Sequence, residues 1–482
     1  MAQKVIIDPV TRIEGHLKVE VEIENGKVID AKTSGTLFRG FELILKGRDP
    51  RDACHIVQRI CGVCPVSHGT ASMLCLDDAF GVTPPPNGRI VRNLIQGANY
   101  LQSHILHFYH LAALDYVKGP DTAPFIPRYE GDYRLPKEIN DKAVEHYIHA
   151  LTMRKKAQEM LSIFGAKMPH VTVFTAGGVT EGVTAEKINQ FREYLREITA
   201  FVDHVYIPDV LAVAEVYGDD GFSIGTGCKN MLAYGGIRLT DEADPDGQKQ
   251  LFKRGCYING NFETMDKNKI TEQSKYSWFE DSTTDKYPGE GATVPAPGKS
   301  GAYSWLKAPR YDGVPCEVGP LARQWVNKQK DVLGLGDKAF SVLGRHFARA
   351  IETSQVAHAM FEWLGHLVPG QPTFAPFDIP KEGSGVGLHE APRGALGHWI
   401  TVKNYRIDNY QAVVPTTWNG APRDDQGQLG PMEQALVGSP VKDPDNPFEL
   451  VRIVRAFDPC IACAVHVLDV KGVAKDVKRF II

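Results

Sequence analysis

The sequence lacks several features that would place it in a large class of proteins. No run of about 18 apolar residues occurs, so we expect no membrane-spanning helix. The net charge of −4 argues against nucleic acid as the main partner. The first residues contain no apolar segment, so we expect no signal peptide. The chain is therefore expected to stay in the cytoplasm or to be exported with a partner that carries the signal.

Cysteine is also scarce, at nine among 482 residues, which is too sparse for a disulfide scaffold. Five cysteines are isolated, and the other four form the C-x-x-C pairs Cys61/Cys64 and Cys460/Cys463. No nucleotide-binding G-x-G-x-x-G follows a strand pattern, and the glycines at 383, 385 and 387 are interpreted as a loop. What remains to carry chemistry is the two cysteine pairs.

The hydrophobic pattern predicts a chain of the α+β class that is predominantly α. Alternating apolar residues around Asn25-Gly26 predict a hairpin over 17–33. Apolar residues at spacings of three and four predict four helices, and Thr184 is the expected N-cap of the third. The predicted helices cover residues 87–118, 141–164, 184–205 and 337–367.

We divide the chain into five segments on this pattern and on composition. Residues 217–335, rich in Gly, Pro, Asp and Lys, are expected to form turns, short strands and long loops, as a separate or inserted subregion. The other segments are the hairpin with the first cysteine pair (1–80), a helical part (81–216), a helix with the last cysteine pair (336–466) and a C-terminal extension (467–482).

Each cysteine pair lies in a longer motif, RICGVCPVSH at 59–68 and DPCIACAVH at 458–466. Two residues between cysteines allow both sulfurs to bind one metal, and four thiolates suit zinc, an iron–sulfur cluster or nickel. A zinc site that ties the chain ends together remains the alternative. The separation of about 400 residues and the adjacent Arg59 and Asp458 count against it.

The two motifs resemble the nickel-binding signatures of the nickel–iron hydrogenase large subunit. Further segments resemble that family in the same order along the chain, and its large-subunit fold is expected. Residues 99–121 are most similar to the subgroup that includes the nickel–iron–selenium enzymes, in which selenocysteine stands at the position of Cys460. The matching segments are 8–22, 39–53, 107–115, 316–323, 344–352, 390–399 and 413–419.

The resemblance implies that the four cysteines hold a Ni–Fe centre. Cys61 and Cys460 would be terminal ligands of nickel, and Cys64 and Cys463 would bridge nickel and iron. The iron would carry carbonyl and cyanide ligands, which no side chain supplies, so assembly factors are implied. Soft thiolates suit a nickel ion that changes oxidation state.

The residues around the centre take implied roles as well. Arg393, after Pro392, would donate to one cyanide, and its guanidinium is always charged. Thr416, with Pro415, would contact the other cyanide. Asp458 would hold Arg393 in place as an ion pair. The family has an Asp in many members where this chain has Ser103, so the cover over the metals should be less negative here.

Splitting hydrogen requires a proton acceptor and a route out of a dry site. Cys460 is the expected first acceptor, with Arg393 as a rival. Glu14 matches the family's proton-transfer carboxylate, and burial would raise its proton affinity. The alternative for Glu14 is a salt bridge with Arg12.

A second metal ion, Mg²⁺ or Fe²⁺, is implied near the C-terminus. Its family ligands match Glu42, the backbone carbonyl of Ala412 and His466, which suit a hard cation that keeps some waters. The alternative for Glu42 is a charge on a helix surface. His68 is expected to hydrogen-bond to a cysteine sulfur, with an ordinary core histidine as the alternative.

The predicted activity is the reversible oxidation of H2 to protons and electrons. No third cysteine pair is present, so we expect no Fe–S cluster in this chain and an iron–sulfur small subunit as partner. The resemblance implies export to the periplasm with that subunit, and removal of residues 467–482 by a maturation protease. A zinc-stapled subunit of a redox complex and a hydrogen sensor are the alternative functions.

Overall fold

The computed structural model describes residues 2–128, 131–464 and 479–480. Helix makes up 43% and strand 20%, which confirms the predicted mainly helical α+β class. The α-helices are α1 Phe41–Leu45, α2 Ala53–Ile56, α3 Pro65–Phe80, α4 Pro86–Leu106, α5 Lys137–Gly165, α6 Ala185–Phe201, α7 Ile207–Gly221, α8 Pro320–Val326, α9 Lys330–Gly334, α10 Val342–Gly365, α11 Pro415–Asn419, α12 Pro431–Leu436, α13 Phe448–Ala456 and α14 Ile461–Ala464.

The strands are short outside two sheets. They are β1 Gln3–Ile7, β2 Leu17–Glu24, β3 Lys27–Gly35, β4 Phe174–Thr175, β5 Gly178–Val179, β6 Met231–Ala233, β7 Gly236–Arg238, β8 Gln250–Phe252, β9 Gly255–Ile258, β10 Asn261–Glu263, β11 Ile270–Gln273, β12 Ala308–Tyr311, β13 Glu382–Ala391, β14 Gly394–Lys403, β15 Arg406–Val413 and β16 Arg479–Phe480. Two π-helical segments, His107–Ala112 and Val202–Tyr206, continue α4 and α6.

A layer of long helices forms the largest hydrophobic core. Helix α4 is buried along most of its length and packs on α5 and α10, while α6 and α7 cover α10 from the other side. Thr184 caps α6, since its side chain accepts a hydrogen bond from the amide of Lys187. In the described part of the chain, no helix is long and apolar enough to cross a bilayer.

The N-terminal sheet has the strand order β16–β1–β2–β3. The hairpin predicted over 17–33 is confirmed as β2 and β3, with the turn at Asn25 and Gly26, both at positive φ. The apolar face of this sheet packs on α12 and α13 in a second hydrophobic cluster. Strand β16 pairs in parallel with β1.

The glycine-rich segment 383–387 was predicted to be a loop, and this prediction is wrong. It forms β13, the edge of an antiparallel sheet with β14 and β15. A Cβ on Gly385 would lie 2.1 Å from the carbonyl oxygen of Cys75, and one on Gly387 would lie 2.0 Å from that of Ala71. The alternating glycines therefore let α3 lie directly on the strand backbone.

Three helix predictions need correction. The last long helix begins at Val342 rather than at 337, because Ser341 accepts from the amide of Gly344 as its N-cap. The helix predicted over 87–118 ends as α-helix at Leu106 and continues in the π form. The segment 217–335, expected to hold only strands and loops, also contains α8 and α9, which are short and pack against α10.

Candidate metal site

Three cysteine sulfurs from opposite ends of the chain meet inside the protein. The Sγ atoms of Cys61 and Cys460 are 3.3 Å apart, and those of Cys61, Cys64 and Cys460 all lie within 4.8 Å of one another. All three residues are buried. The backbone of Cys463 lies in α14, one turn further on, and its side chain is outside the described residues.

The first cysteine loop is shaped by its own backbone. Cys61 is extended, and the amides of Val63 and Cys64 donate to its sulfur at 3.3 and 3.4 Å. Cys64 then stands at the N-terminus of α3, with Pro65 as the first helical residue. Donation of N–H groups to sulfur favours the thiolate, the form that binds metal.

The second cysteine loop is held by the N-terminal segment. Glu14 and Cys460 form a parallel β-bridge, in which the amide of Glu14 donates to the carbonyl of Pro459 at 3.3 Å. The amide of Ile461 donates back to the carbonyl of Glu14 at 2.7 Å. The chain ends therefore meet through the backbone as well as through sulfur.

Gly15 permits this contact. A Cβ at this position would lie 2.5 Å from the amide nitrogen of Ala462, and the residue has φ +87°. A side chain would therefore clash with the second loop and strain the backbone at once.

Arg39 ties the two cysteine loops together. Its guanidinium donates both to the carbonyl of Ile60, just before the first pair, and to that of Ala462, inside the second pair. This role could not be predicted from the sequence, because the acceptors are backbone atoms 21 and 423 positions away.

Arg393 and Asp458 form a buried ion pair beside the sulfurs. Nη2 of Arg393 donates to Asp458 at 2.8 Å, and Nη1 donates to the hydroxyl of Ser103 at 3.2 Å. Arg393 is 2% exposed and Asp458 1%. The structure therefore brings Arg393, Asp458 and Ser103 together.

Two polar atoms of this pair have no partner among the described residues. They are Nε of Arg393 and Oδ2 of Asp458. Such atoms are rare in folded proteins, because a buried polar atom without a hydrogen bond costs about 1–3 kcal/mol. Their position next to the thiols indicates that a polar group other than a side chain belongs in the site.

Thr416 contacts the second cysteine loop directly. Its hydroxyl oxygen accepts from the amide of Cys460 at 2.9 Å, which leaves the hydroxyl hydrogen available to another acceptor. Pro415 is the first residue of α11 and sets the start of that helix.

A buried charge network positions the strand end before Arg393. Arg323 donates to the carbonyls of Ala391 and Pro392 at 2.9 and 2.8 Å. It also pairs with Glu352 and Glu390 at 2.6 Å each. Burial raises the pKa of Glu352, but Arg323 and His104 lower it more strongly, to about 2. The sequence placed these residues in family-like segments without assigning their role.

The carboxylate of Glu14 lies at the second cysteine pair. Sγ of Cys460 donates to its Oε2 at 3.1 Å, and the amide of Ala462 donates to the same oxygen at 3.0 Å. Burial, reinforced by Cys61, raises the pKa of Glu14 to about 7. The alternative salt bridge to Arg12 is wrong, since Arg12 pairs with Asp115 at 2.5 Å.

His68 belongs to a chain of buried polar side chains. Its Nδ1 lies 3.3 Å from Nε2 of His398, whose Nδ1 lies 2.7 Å from the hydroxyl of Tyr410. The Tyr410 hydroxyl donates to Ser72 at 3.0 Å. The expected bond from His68 to a cysteine sulfur stays a prediction, because the Cys463 side chain is not described.

Glu42 lies beside β15 rather than as a charge on a free helix surface. Its carboxylate accepts from the amide of Ala412 at 2.9 Å and from the hydroxyl of Thr293. Burial raises its pKa. His466, the third expected ligand of the second metal, lies outside the described residues.

The side chain of Arg59, next to the first cysteine pair, is exposed and takes no part in the buried cluster.

The chain is similar to known proteins over nearly its whole length. A model of the family described as nickel-dependent hydrogenase matches residues 39–121 and 117–466, and a HoxL-like model matches residues 4–34. The periplasmic [NiFeSe] hydrogenase large subunit of Desulfomicrobium baculatum is 49% identical, covering 96% of this chain and 95% of that one.

This chain belongs to the nickel-dependent hydrogenase large-subunit family. The hydrogenase-2 large chain of Escherichia coli (strain K12) is 35% identical, with 98% of each chain covered. The solved Ni-Fe-Se hydrogenase from D. vulgaris Hildenborough matches with a TM-score of 0.93 and 51% identity, covering 97% of this chain and 100% of that one. The fold predicted from the resemblance is thus confirmed, and members of this hydrogenase family are oxidoreductases acting on H2.

Proposed function

We propose that this chain is the catalytic large subunit of a nickel–iron hydrogenase and oxidises H2 reversibly to protons and electrons. The observation that carries the proposal is the 3.3 Å approach of the Cys61 and Cys460 sulfurs from opposite ends of the chain. Family membership supports it independently.

The donor set fits a soft metal centre. Cys61, Cys64 and Cys460 would hold it with Cys463, and three of these sulfurs already lie within one ligand shell. The Ni–Fe centre, when bound, supplies the heterolytic cleavage of H2. The chain's own residues would then hold the centre dry and carry the proton away.

Carbonyl and cyanide ligands on iron fit the polar atoms around the sulfurs. Nε of Arg393 is buried without a partner among the described residues, and a guanidinium donates well to an anionic ligand. Thr416 retains a hydroxyl hydrogen that it can donate. Pro392 and Pro415 directly precede the two donor residues in the sequence. A plain zinc site would leave the Arg393 donor unsatisfied.

The first steps of proton transfer would run along one short hydrogen bond. Cys460 would accept the proton on sulfur, and Glu14, whose Oε2 lies 3.1 Å away, would take it next. A carboxyl with a pKa of about 7 can both bind and release a proton near neutral pH. Arg393 is a less suitable base, since Asp458 keeps it charged.

Glu42, the carbonyl of Ala412 and His466 would hold the second metal ion, Mg²⁺ or Fe²⁺. The hydrogen bond from the Ala412 amide to the Glu42 carboxylate supports the first two ligands, because it keeps the two residues side by side. An ion there would neutralise a carboxylate that burial otherwise drives towards protonation.

The electrons would leave through an iron–sulfur small subunit. The named relatives are large subunits, and the match to the hydrogenase model ends at residue 466, the last histidine of the second motif. We also propose that a maturation protease removes residues 467–482 after metal insertion, and the end of the match at residue 466 supports this. Periplasmic export with the small subunit is supported by the periplasmic relative.

The test is metal analysis and infrared spectroscopy of the purified heterodimer, followed by H2-dependent dye reduction. Nickel and iron near one to one, bands of metal-bound carbonyl and cyanide, and dye reduction are the expected results. Zinc alone without such bands would refute the proposal. The variant Glu14→Gln should keep its metals and bands but lose turnover at least 100-fold, because the amide cannot take the proton.

A further inference from the structure

A cleft of about 620 Å³ lies between α3, α4, the β7–β8 hairpin and β13. None of its lining residues belongs to the candidate metal site, and no role in hydrogen oxidation accounts for it. Its size falls within the range of small-molecule binding sites, roughly 300–1,000 Å³.

Three of the lining residues, which we call the floor of the cleft, each have a buried polar atom without a partner among the described residues. These atoms are the hydroxyl of Thr70, the amide oxygen of Gln96 and Nε2 of His389. The three residues are 6%, 1% and 3% exposed. Each such atom costs free energy unless something bonds to it, so three in one cleft point to a polar occupant.

This floor is uncharged. Burial lowers the pKa of His389 to about 3, so its ring is neutral at physiological pH. The amide nitrogen of Gln96 is already used, since it donates to the hydroxyl of Ser67 at 2.9 Å. The floor is therefore suited to the neutral, hydrogen-bonding part of a ligand.

The rest of the lining carries five cations against three carboxylates, Asp77, Asp78 and Asp244. Arg89 and Arg92 are paired with Asp241 and Asp77, each at 2.5 Å. The other lining cations make no salt bridge to any described carboxylate; they are Arg238, Arg254 and Lys267.

Arg254 is the best placed of these cations. Its Nε and Nη1 donate to the carbonyls of Tyr234 and Pro245, both at 2.8 Å, which fixes the guanidinium at the cleft. Burial lowers its pKa, and the charges of Asp244 and Asp246 offset the loss of water only in part. An anion in the cleft would remove that penalty.

We propose that this cleft binds a small organic anion. Its phosphate or carboxylate group contacts Arg254, with Arg238 and Lys267 beside it. Its uncharged end carries at least one hydrogen-bond donor, because the free oxygen of Gln96 can only accept. Leu74, Ile237 and Leu388 supply apolar walls for the body of the ligand.

The proposal is tested by calorimetric titration of the intact holoenzyme with adenosine 5′-monophosphate, ribose 5-phosphate and inorganic phosphate. Adenosine 5′-monophosphate should bind at least tenfold more tightly than phosphate, because only it reaches the floor and walls. The variant Arg254→Gln should weaken its binding at least tenfold. The matched control Lys253→Gln, which removes an exposed charge next in sequence and outside the lining, should change it less than twofold.

A second variant tests the floor without disturbing the fold. Thr70→Val is nearly isosteric and removes a hydroxyl that has no partner, so the melting temperature should hold or rise. Affinity for adenosine 5′-monophosphate should fall three- to tenfold. Absence of binding by every probe at millimolar concentration would overturn the proposal. Equal affinities for all three probes, or binding unaffected by both variants, would overturn it as well.

Discussion

The two cysteine loops reach the same point by different means. The first loop is organised locally, since amides two and three residues away bond to the Cys61 sulfur and α3 begins at Pro65. The second is organised by residues far along the chain, through the backbone of Glu14 and the side chains of Arg39 and Thr416. The first cysteine loop can therefore form early in folding, whereas the second cysteine loop depends on the completed fold.

This difference suits a centre that is assembled by insertion of metals. A locally shaped loop presents two thiols before the chain ends have met. The second loop then closes over them through the Glu14 bridge and joins two hydrophobic clusters, since Cys460 packs in one and Ile461 in the other. Variants that disturb only the long-range contacts should spare the fold and damage closure.

The largest effect is expected from Gly15→Ala. The new Cβ would lie 2.5 Å from the backbone of Ala462 at positive φ, so the second loop cannot dock. Nickel content should fall below a tenth, and H2-dependent dye reduction should fall more than 100-fold. The control is Gly47→Ala, which has similar φ, +80°, but open space around its Cβ. A metal-loaded, active Gly15→Ala enzyme would contradict the dependence on long-range docking.

The elements best predicted from sequence were those set by their own residues. The hairpin at 17–33 follows from alternation around Asn25-Gly26, and the start of α6 follows from the cap at Thr184. The four cysteines stood out because spacing alone marks them. These features need no knowledge of what packs against them.

The elements that were missed depend on distant neighbours. The strand β13 could not be predicted from its own residues, because its glycines are required by the close approach of the α3 backbone. That helix lies about 300 positions earlier in the sequence. The roles of Arg39 and Arg323 could not be predicted, because their acceptors are backbone carbonyls, which every residue has. The sequence therefore predicted cysteines that meet in the fold, but not the residues that position their loops.

The next effect in size is expected from Arg39→Met. Removing the guanidinium breaks charged hydrogen bonds to the carbonyls of Ile60 and Ala462 while keeping the apolar stem. Each such bond contributes about 1.5–3 kcal/mol, and the loss of one corresponds to about tenfold or more, so the nickel-loaded fraction should fall at least about tenfold. Arg51→Met is the matched control, because Arg51 is exposed and, among the described residues, forms a salt bridge with Asp49 alone. Equal metal content in both variants, measured by mass spectrometry of metals, would rule out the clamp.

A pH effect should follow from Glu433, which joins β3 to α12 across 400 positions by accepting from the amide of Thr33. Burial raises its pKa from 4.5 to about 7. The folded protein therefore binds more protons than the unfolded chain between these values, and stability falls as pH rises from 4.5 to 7. The loss amounts to about 3 kcal/mol and is constant above pH 7.

The share of Glu433 in this dependence should disappear in Glu433→Gln, since an amide does not ionise, whereas the raised pKa of Glu14 still contributes. The measurement is the difference in melting temperature between pH 5 and pH 8, compared with that of the native chain. Glu242→Gln serves as control, because Glu242 is exposed and pairs only at the surface. An unchanged pH dependence in Glu433→Gln would show that other groups cause it.

The smallest effect is expected from Thr416→Val. The amide of Cys460 would lose its acceptor inside the protein while the shape of the side chain is kept, which costs about 2 kcal/mol. The neighbouring Thr417→Val removes a hydroxyl that does not contact Cys460 and should cost less. Because the first loop does not use Thr416, the loss should appear as weaker retention of nickel under chelator, with little change in the melting temperature of the helical core. A fall in core stability equal to the loss of nickel retention would mean that the two loops are organised together.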